Sequence, residues 1–483
     1  MPLLDELTDA LGPGGVLSAE AERIVYECDG YVVEKSVPDL VVFPRSTEDV
    51  VAVVRACNRH GVPFVPRGAG TSLAGGTLAA GGGVMIALTR MDAILDLRPE
   101  DRVACVQPGV INTHLSRALA GTGLHFAPDP SSQGASTIGG NIATNAGGPH
   151  TLKYGVTSQH TLGVEVVLPG GEVATFGGPL GGEGEADLTG LFVGSEGTFG
   201  VLTKAWVKLV PDPADVRTLL AVFPSVADSV RAISALVASG VVPAALEMID
   251  RGIVNAVEDA YHFGFPRDAG AVLIIECDGP TAAVDREAAA AADVCRTHHA
   301  MEVREAADDA ERRDLWRCRK QAFGAIGRIS PSYCTQDGVV PRTRLPDILD
   351  HTMRVADEFD LKILNVYHAG DGNIHPILCF DERDESQRNR VLDAGESILR
   401  ECLRLGGTVS GEHGIGVEKI DLMPELFDAD TLAVMRDVRD AFNPPGPAGE
   451  PLCSPHKVLP TAGACAGDRS RIRREKPARG IPA

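Results

Sequence analysis

Apolar and polar positions follow two rhythms along this chain, one of strands and one of helices, and some long stretches follow neither. Residues 39–43 form a short β run, and Ser46 then stands at a helix N-cap with Glu48 and Asp49 in the first turn. Val50, Val53 and Val54 recur at helical spacing, Gly61 closes the helix, and Val62 to Val65 begin the next strand. This order predicts a compact β–α–β unit. Residues 16–36 read as helical with a mixed face. Further strands are expected at 83–89, 94–97 and 103–107, then a helix ended by Gly121. Strands at 163–168 and 172–176 flank Pro169-Gly170-Gly171, a hairpin signal, and residues 201–211 read as another strand. Pro211 and Pro213, flanking Asp212, mark the expected domain boundary. Beyond it, strands at 217–222 and 271–277 alternate with helices at 225–239 and 281–298, and a strand pair flanks 368–375. That alternation predicts an α+β domain with helices on one face of a sheet.

Two stretches have no hydrophobic rhythm. Residues 127–155 (APDPSSQGASTIGGNIATNAGGPHTLKYG) carry small hydroxyls and amides and hardly a charge, with Gly pairs at 139–140 and 147–148. A loop this long without an apolar face is usually disordered or functional. Paired glycines allow backbone to approach a ligand, and backbone N–H groups can hold a pyrophosphate, so a bound dinucleotide suits the stretch. A surface Ω-loop is the plainer alternative. PRGAGTSLAGG, 66–76, follows an apolar run and strengthens the ligand reading. Neither stretch is GxGxxG after a strand, so a Rossmann nucleotide site is not indicated.

Composition narrows the classes. At 483 residues, two or three domains are expected. With 45 basic against 66 acidic residues the formal net charge is −21, a surface that repels nucleic acid. No apolar run approaches the length needed to cross a bilayer, and MPLLDELTDALGPGG is no secretory signal. Eleven Cys without a CxxC pair read as reduced, buried thiols rather than a cluster site, and a cytosolic compartment is expected. Residues 461–483, rich in Arg, Ala, Gly and Pro, read as a disordered basic tail, with a basic contact arm as the alternative.

Three clusters can carry chemistry. In KILNVYHAGDGNIHPILCF, 362–380, two β runs join through a Gly- and Asp-rich turn, so His368 and His375 can point at one spot. Glu412 and His413 lie in TVSGEHGIGVEK. Two His and one Glu make a three-ligand set with an open position on a zinc-type divalent ion. The adjacent imidazole of His413 can then take a proton from a hydroxyl. Structural histidines remain the alternative. In ERRDLWRCRKQAF, 311–323, Arg319 shares a helix face with Leu315 and Phe323, and an Arg on an apolar side needs an anion. It can grip a substrate carboxylate, or pair with an Asp or Glu of the protein itself.

PRGAGTSLAGG, DPSSQGASTIGGNIATNAGG, KYGVTSQ, VGSEGTFGVLT, HAGDGNIHP and SGEHGIGVEK, in this order, resemble the FAD-dependent 2-hydroxyacid oxidoreductases of the vanillyl-alcohol-oxidase superfamily, over residues 16 to 460. Within it the motifs look most like the group of bacterial glycolate oxidase FAD-binding catalytic subunits, with D-lactate and D-2-hydroxyglutarate dehydrogenases as relatives. The resemblance implies an α+β protein: an N-terminal helical segment (1–37), a two-part FAD-binding domain (38–213), an α+β substrate-capping domain ending in a helical segment (214–460), and the tail. It implies that Pro66, Arg67, Gly68, Ala69, Gly70, Thr71, Ser72 and Leu73 cradle the FAD pyrophosphate. Asp129, Pro130, Ser131, Thr137, Gly140, Asn141, Thr144, Asn145, Gly147 and Gly148 would line the rest, with Gly200 and Val201 approaching it. His368, His375 and Glu412 match the family's divalent-metal ligands, zinc being expected. His413 matches its base and Arg319 its carboxylate-binding Arg, with Asn373 near the same site.

The implied reaction passes the α-hydrogen of a small 2-hydroxy acid, glycolate foremost, as hydride to the flavin, giving the 2-oxo acid. The loop 66–76 contains no His or Cys, so FAD is expected to be non-covalent. Implied partners are a second FAD-type subunit and an iron–sulfur subunit at the inner face of the membrane. Where relatives with a second, distal carboxylate have a Lys before the Asp-Gly pair, this sequence reads CTQDG, 334–338, which favours a small substrate. The family's closing segment is replaced by NPPGPAGEPLCSPHKVLP, 443–460, with His456 before the Lys. The competing readings are a D-lactate dehydrogenase that acts without further subunits, a flavin-free metal hydrolase on His368, His375 and Glu412, and a non-catalytic electron-transfer subunit.

Overall fold

The computed structural model describes residues 2–180, 186–446 and 450–454. The tail at 461–483 and the pair His456-Lys457 lie outside the described residues. Two compact units make up the protein, and neither is contiguous in sequence. The first holds residues up to Ala146, Val156–Pro211 and the described residues from Glu412 onward; the second holds Gly147–Gly155 and Asp212–Gly411.

In the first unit, Leu40–Val42, Val84–Ala87 and Phe64–Arg67 lie parallel in that order, with Val16–Leu17 antiparallel at one edge. The crossover helix Thr47–His60 starts where Ser46 Oγ accepts from Asp49 N and stops at Gly61, whose φ of 62° suits a left-handed cap. Val50, Val53 and Val54 are buried, as their spacing foretold, and Cys57 lies buried with them. A second sheet is antiparallel throughout, in the order Ile94–Arg98, Val103–Val106, Val201–Lys208, Thr161–Val167, Val173–Gly177. Its last two strands are the hairpin over Pro169 to Gly171.

Two expectations in this unit need correction. Residues 16–36 are not one helix: only Glu20–Arg23 and a short turn at Ile24–Tyr26 are helical. Val16–Leu17 is the edge strand, and 27–36 is an ordered loop, because Asp29 accepts from Tyr31 N and Thr77 N, and Gly30 N donates to Ser72 O. Burial raises the Asp29 carboxyl above its usual range, while those backbone donors oppose the rise. The stretch 127–155 is not loop throughout. Ile138–Thr144 is a short helix, capped by Thr137 Oγ1 accepting from Gly140 N and ended by Asn145 at a φ of 52°. Its glycines escape helical pattern-matching because they serve contact: a Cβ on Gly139 would lie 2.6 Å from Pro108 Cβ.

The second unit is built on one antiparallel sheet in the order Glu302–Glu305, Asp215–Phe223, Ala271–Gly279, Ala245–Asp250, Lys362–His368, Asn373–Phe380, Ser332–Thr335. Helices were expected on one face; they cover both. Leu220, Val222, Val272 and Ile274 enter a core shared with the helices Arg251–Tyr261 and Asp309–Ile326. Their neighbours Leu219, Ala221, Leu273 and Ile275 are equally buried, and the helices Val226–Ala238 and Thr281–Thr297 lie against the same strands. Strands covered on both faces lose the in–out alternation, which is why AVLIIEC reads as a continuous apolar run.

Candidate active site

In the first unit, the motif loops meet where side chains are missing. A Cβ on Gly68 would lie 2.5 Å from Thr137 Oγ1, and one on Gly197 would lie 2.6 Å from Pro66 Cγ. Glu196 N donates to Ala143 O and Gly194 N to Ile142 O, so 66–73, 137–145 and 194–200 form one cluster. Gly200 adopts a φ of 140° and brings Val201 into the sheet. The Asn145 carboxamide oxygen accepts from Ser158 N. Gln133 N donates to Pro130 O, closing a turn over Pro130, Ser131, Ser132 and Gln133 directly after Asp129. Arg67 is turned back into the loop: Nη1 donates to Cys28 O and Thr77 Oγ1, and burial lowers its pKa. Its side chain therefore shapes the 66–73 loop, leaving backbone to face a ligand. Ser136 Oγ, Asn141 Nδ2 and Ser195 Oγ are buried with no partner among the described residues. A cradle of small residues with orphaned polar atoms fits an uncharged grip on FAD. Gly147 and Gly148, expected in the same cradle, belong to the second unit.

In the second unit, buried charge does the organising. Arg319 is 0% exposed, on the face of Asp309–Ile326 that also buries Leu315 and Ala322. Its Nε donates to Glu247 Oε2 at 2.7 Å. Glu247 Oε1 lies 2.7 Å from His368 Nδ1, across the register that pairs the two residues on adjacent strands. Nη1 and Nη2 of Arg319 have no partner among the described residues. His375 sits diagonally across the hairpin from His368, with ring centroids 5.0 Å apart and planes at 89°. Its Nδ1 lies 3.1 Å from Gln336 O, an acceptor, so that nitrogen carries the proton. An ionised Glu247 imposes the same on His368. Both rings thus keep Nε2 as the basic nitrogen, the arrangement a metal-binding His needs.

Asp337, fully buried, is the other hub. It accepts from Asn373 Nδ2 at 3.0 Å, Ser410 Oγ at 2.7 Å and Gly411 N at 3.0 Å. Asn373 is thereby committed to this carboxylate and to Gly338 O. Glu412 and His413 follow Gly411 directly in sequence and fall to the first unit, where Glu196 accepts from Ile415 N at 2.6 Å and Gly416 N at 3.0 Å. Lys419, fully buried, donates to Gly414 O.

A polar cluster that the sequence reading did not single out surrounds Glu276. It accepts from Thr218 Oγ1 at 2.7 Å and Trp316 Nε1 at 2.6 Å, with His150 Nε2 at 3.2 Å. Burial pushes its carboxyl up, but these partners, His150 first, outweigh that and hold it below the usual range. Nearby, Lys153 and Tyr154 of the KYG motif both bind Asp278. Glu247, Glu276 and Asp337 were missed, although a signal existed for the first two. Glu247 and Glu276 are carboxylates inside apolar strand runs (ALEMID, LIIEC), where an unpaired charge would be costly, whereas Asp337 stands in the polar stretch CTQDG and carries no such signal.

The comparisons agree with this architecture. The model of the FAD binding domain matches residues 38–177, and that of the C-terminal domain of FAD linked oxidases matches 212–449. The sequence is 44% identical to glycolate oxidase subunit GlcD of Escherichia coli (strain K12), over 93% of this protein and 89% of that one. It is 38% identical to the GlcD of Bacillus subtilis (strain 168), over 91% and 94%. A D-lactate dehydrogenase of Anaerostipes hadrus is 32% identical, over 85% and 88%. In fold it resembles p-cresol methylhydroxylase with a TM-score of 0.78 at 18% identity, covering 95% of each protein. It also resembles the 4-ethylphenol oxidase of Gulosibacter chungangensis, with a TM-score of 0.77 at 20% identity, over 95% and 97%. A flavin-free hydrolase is thereby set aside: the chain belongs to the FAD-linked oxidases, an FAD-binding oxidoreductase with the vanillyl-alcohol-oxidase type of fold.

Proposed function

We propose that the protein oxidises a small 2-hydroxy acid, glycolate foremost, to the 2-oxo acid. The observation that carries this is Arg319: a fully buried guanidinium whose two terminal nitrogens have no partner among the described residues calls for an oxyanion. Its supports are the GlcD relatives, which are named for glycolate. Bound FAD would supply the oxidant, accepting two electrons and the α-hydrogen. A divalent ion held by His368, His375 and Glu412 would supply positive charge beside the substrate oxygens. Arg319 takes the carboxylate and fixes which face of the α-carbon is presented. His413 accepts the hydroxyl proton as the α-hydrogen departs, so the product leaves as the 2-oxo acid and the proton stays on the imidazole. Asn373 braces this site through Asp337.

GlcD is named as a subunit, and the sequence of this protein has no CxxC pair of the kind that holds an iron–sulfur cluster. Electrons then leave through further subunits, a second FAD-type subunit and an iron–sulfur subunit, at the cytoplasmic face of the membrane. No helix among the described residues is long and apolar enough to cross a membrane. The test is the visible spectrum of the purified protein before and after anaerobic glycolate and then D-lactate. Bleaching by glycolate is expected. Bleaching by D-lactate alone moves the assignment to the lactate enzymes, and bleaching by neither overturns it. Acid denaturation should release the colour from the polypeptide if FAD is non-covalent.

A further inference from the structure

Glu247 is 1% exposed, in a strand, Ala245–Asp250, whose other residues are all buried as well. A carboxylate in such surroundings is retained only with strong partners. It has two, drawn from two other elements: Arg319 on Asp309–Ile326 and His368 on Lys362–His368. We infer that Glu247 is a positioning residue that sets, through one carboxylate, both the ring nitrogen His368 offers and the edge of guanidinium Arg319 offers. The inference rests on the roles proposed above for those two residues.

The geometry carries it in two steps. A carboxylate facing Arg usually takes it in a two-pronged grip. Here only Oε2 reaches Arg319, at Nε, because Oε1 is occupied by His368 Nδ1. The single bond leaves Nη1 and Nη2 together, the pair of donors that can take a second carboxylate side-on. In the other direction, an ionised carboxylate can only accept, so His368 must carry its proton on Nδ1 and keep the lone pair on Nε2. His375 obtains the same orientation from a backbone carbonyl, Gln336 O. His368 depends on a side chain, and that side chain is the one that also aims Arg319.

Glu247→Gln separates these duties. A carboxamide oxygen that keeps Arg319 Nε turns its NH2 toward His368, which must then accept at Nδ1 and carry its proton on Nε2. Long-range 1H–15N correlation of histidine-labelled, metal-free protein reads the tautomer, with the His368 signals assigned by their loss in His368→Gln. The expected result is Nδ1–H in the wild type and Nε2–H in Glu247→Gln. Zinc affinity, measured by chelator competition, should fall about 10- to 100-fold. KM for glycolate should rise while the FAD content is unchanged. An Nε2–H tautomer in the wild type, or the same tautomer and zinc affinity in both proteins, overturns the inference. If the wild type binds no zinc but the tautomer inverts, the metal reading fails and the positioning role stands. Should the Gln variant not accumulate, Glu247→Asp keeps the charge but withdraws it by one methylene. It should retain Nδ1–H and raise KM, and an unchanged KM overturns the role at Arg319.

Discussion

In the first unit, loops 66–73 and 137–145 touch through the absence of side chains, at Gly68 against Thr137, with uncharged Ser and Asn atoms left over. In the second, the contacts are full charges buried in the protein: Glu247 with Arg319, Asp337 with the Ser410-Gly411 turn, Glu276 with Trp316 and His150. A dinucleotide is long and offers many polar atoms, so backbone and small groups can hold it diffusely. A two-carbon acid offers one carboxylate and one hydroxyl, so the protein must place a few strong groups where these lie, which requires their own partners to be fixed first. The contrast predicts that damage to the first unit costs cofactor, and damage to the second costs turnover and local stability.

The largest effect is expected from Arg319→Met. It removes the proposed anion-binding fork and leaves Glu247 buried without its cation, which costs about 3–5 kcal/mol of stability. Thermal denaturation should show that loss, and glycolate turnover should vanish while bound FAD in the folded fraction stays near one per protein. FAD lost in proportion to turnover would erase the contrast. Next is Gly68→Ala, whose methyl would meet Thr137 Oγ1 at 2.5 Å and push that residue off its cap on Gly140. Overpacking of this kind costs about 1–3 kcal/mol. The variant should purify with much less flavin, read by absorbance, and regain turnover when excess FAD is supplied.

The smallest effect is Glu276→Gln, which keeps the volume and loses the charge. Removing one partner of a buried hydrogen-bond cluster costs about 1–3 kcal/mol. Because the folded carboxyl is held below its usual range, its stabilisation is present above the unfolded value and disappears as pH falls through the folded one. The difference in Tm between wild type and variant should therefore be full at pH 7 and shrink below the ordinary Glu range. A gap that widened in acid would mean that burial dominates the pKa after all.

What could be read from the sequence follows the same division. The glycine loops were legible because their chemistry lies in residue type: only small residues permit the approach of Gly68 to Thr137. The helix at Thr47–His60 was legible because Ser46, Gly61 and the Val spacing agree. His368 and His375 were legible as a pair, since a tight hairpin turn brings them together. Glu247 was not, because what gives it meaning is a cross-strand register with a residue more than a hundred positions away. The sheet covered on both faces escapes sequence reading for a related reason: buried-through strands carry no alternation to say which side faces what. The loop at 27–36 reads as helix in the sequence because its order comes from Asp29 and Ser72, not from its own spacing.

The interrupted path of the first unit has a consequence for synthesis. Its early pieces are followed by roughly 200 residues of the second unit, which at about 5–20 residues per second occupy the ribosome for roughly 10–40 s. Through that interval Glu196 lacks the turn at 415–416, and Phe64 lacks the backbone bonds it makes with Leu452 and Ser454. The strand Phe64–Arg67 is then an open sheet edge, the kind of surface that recruits other polypeptides. The later unit is complete before the earlier one, so slowing translation anywhere between residue 212 and the closing segment at 452–454 should increase aggregation of the nascent polypeptide.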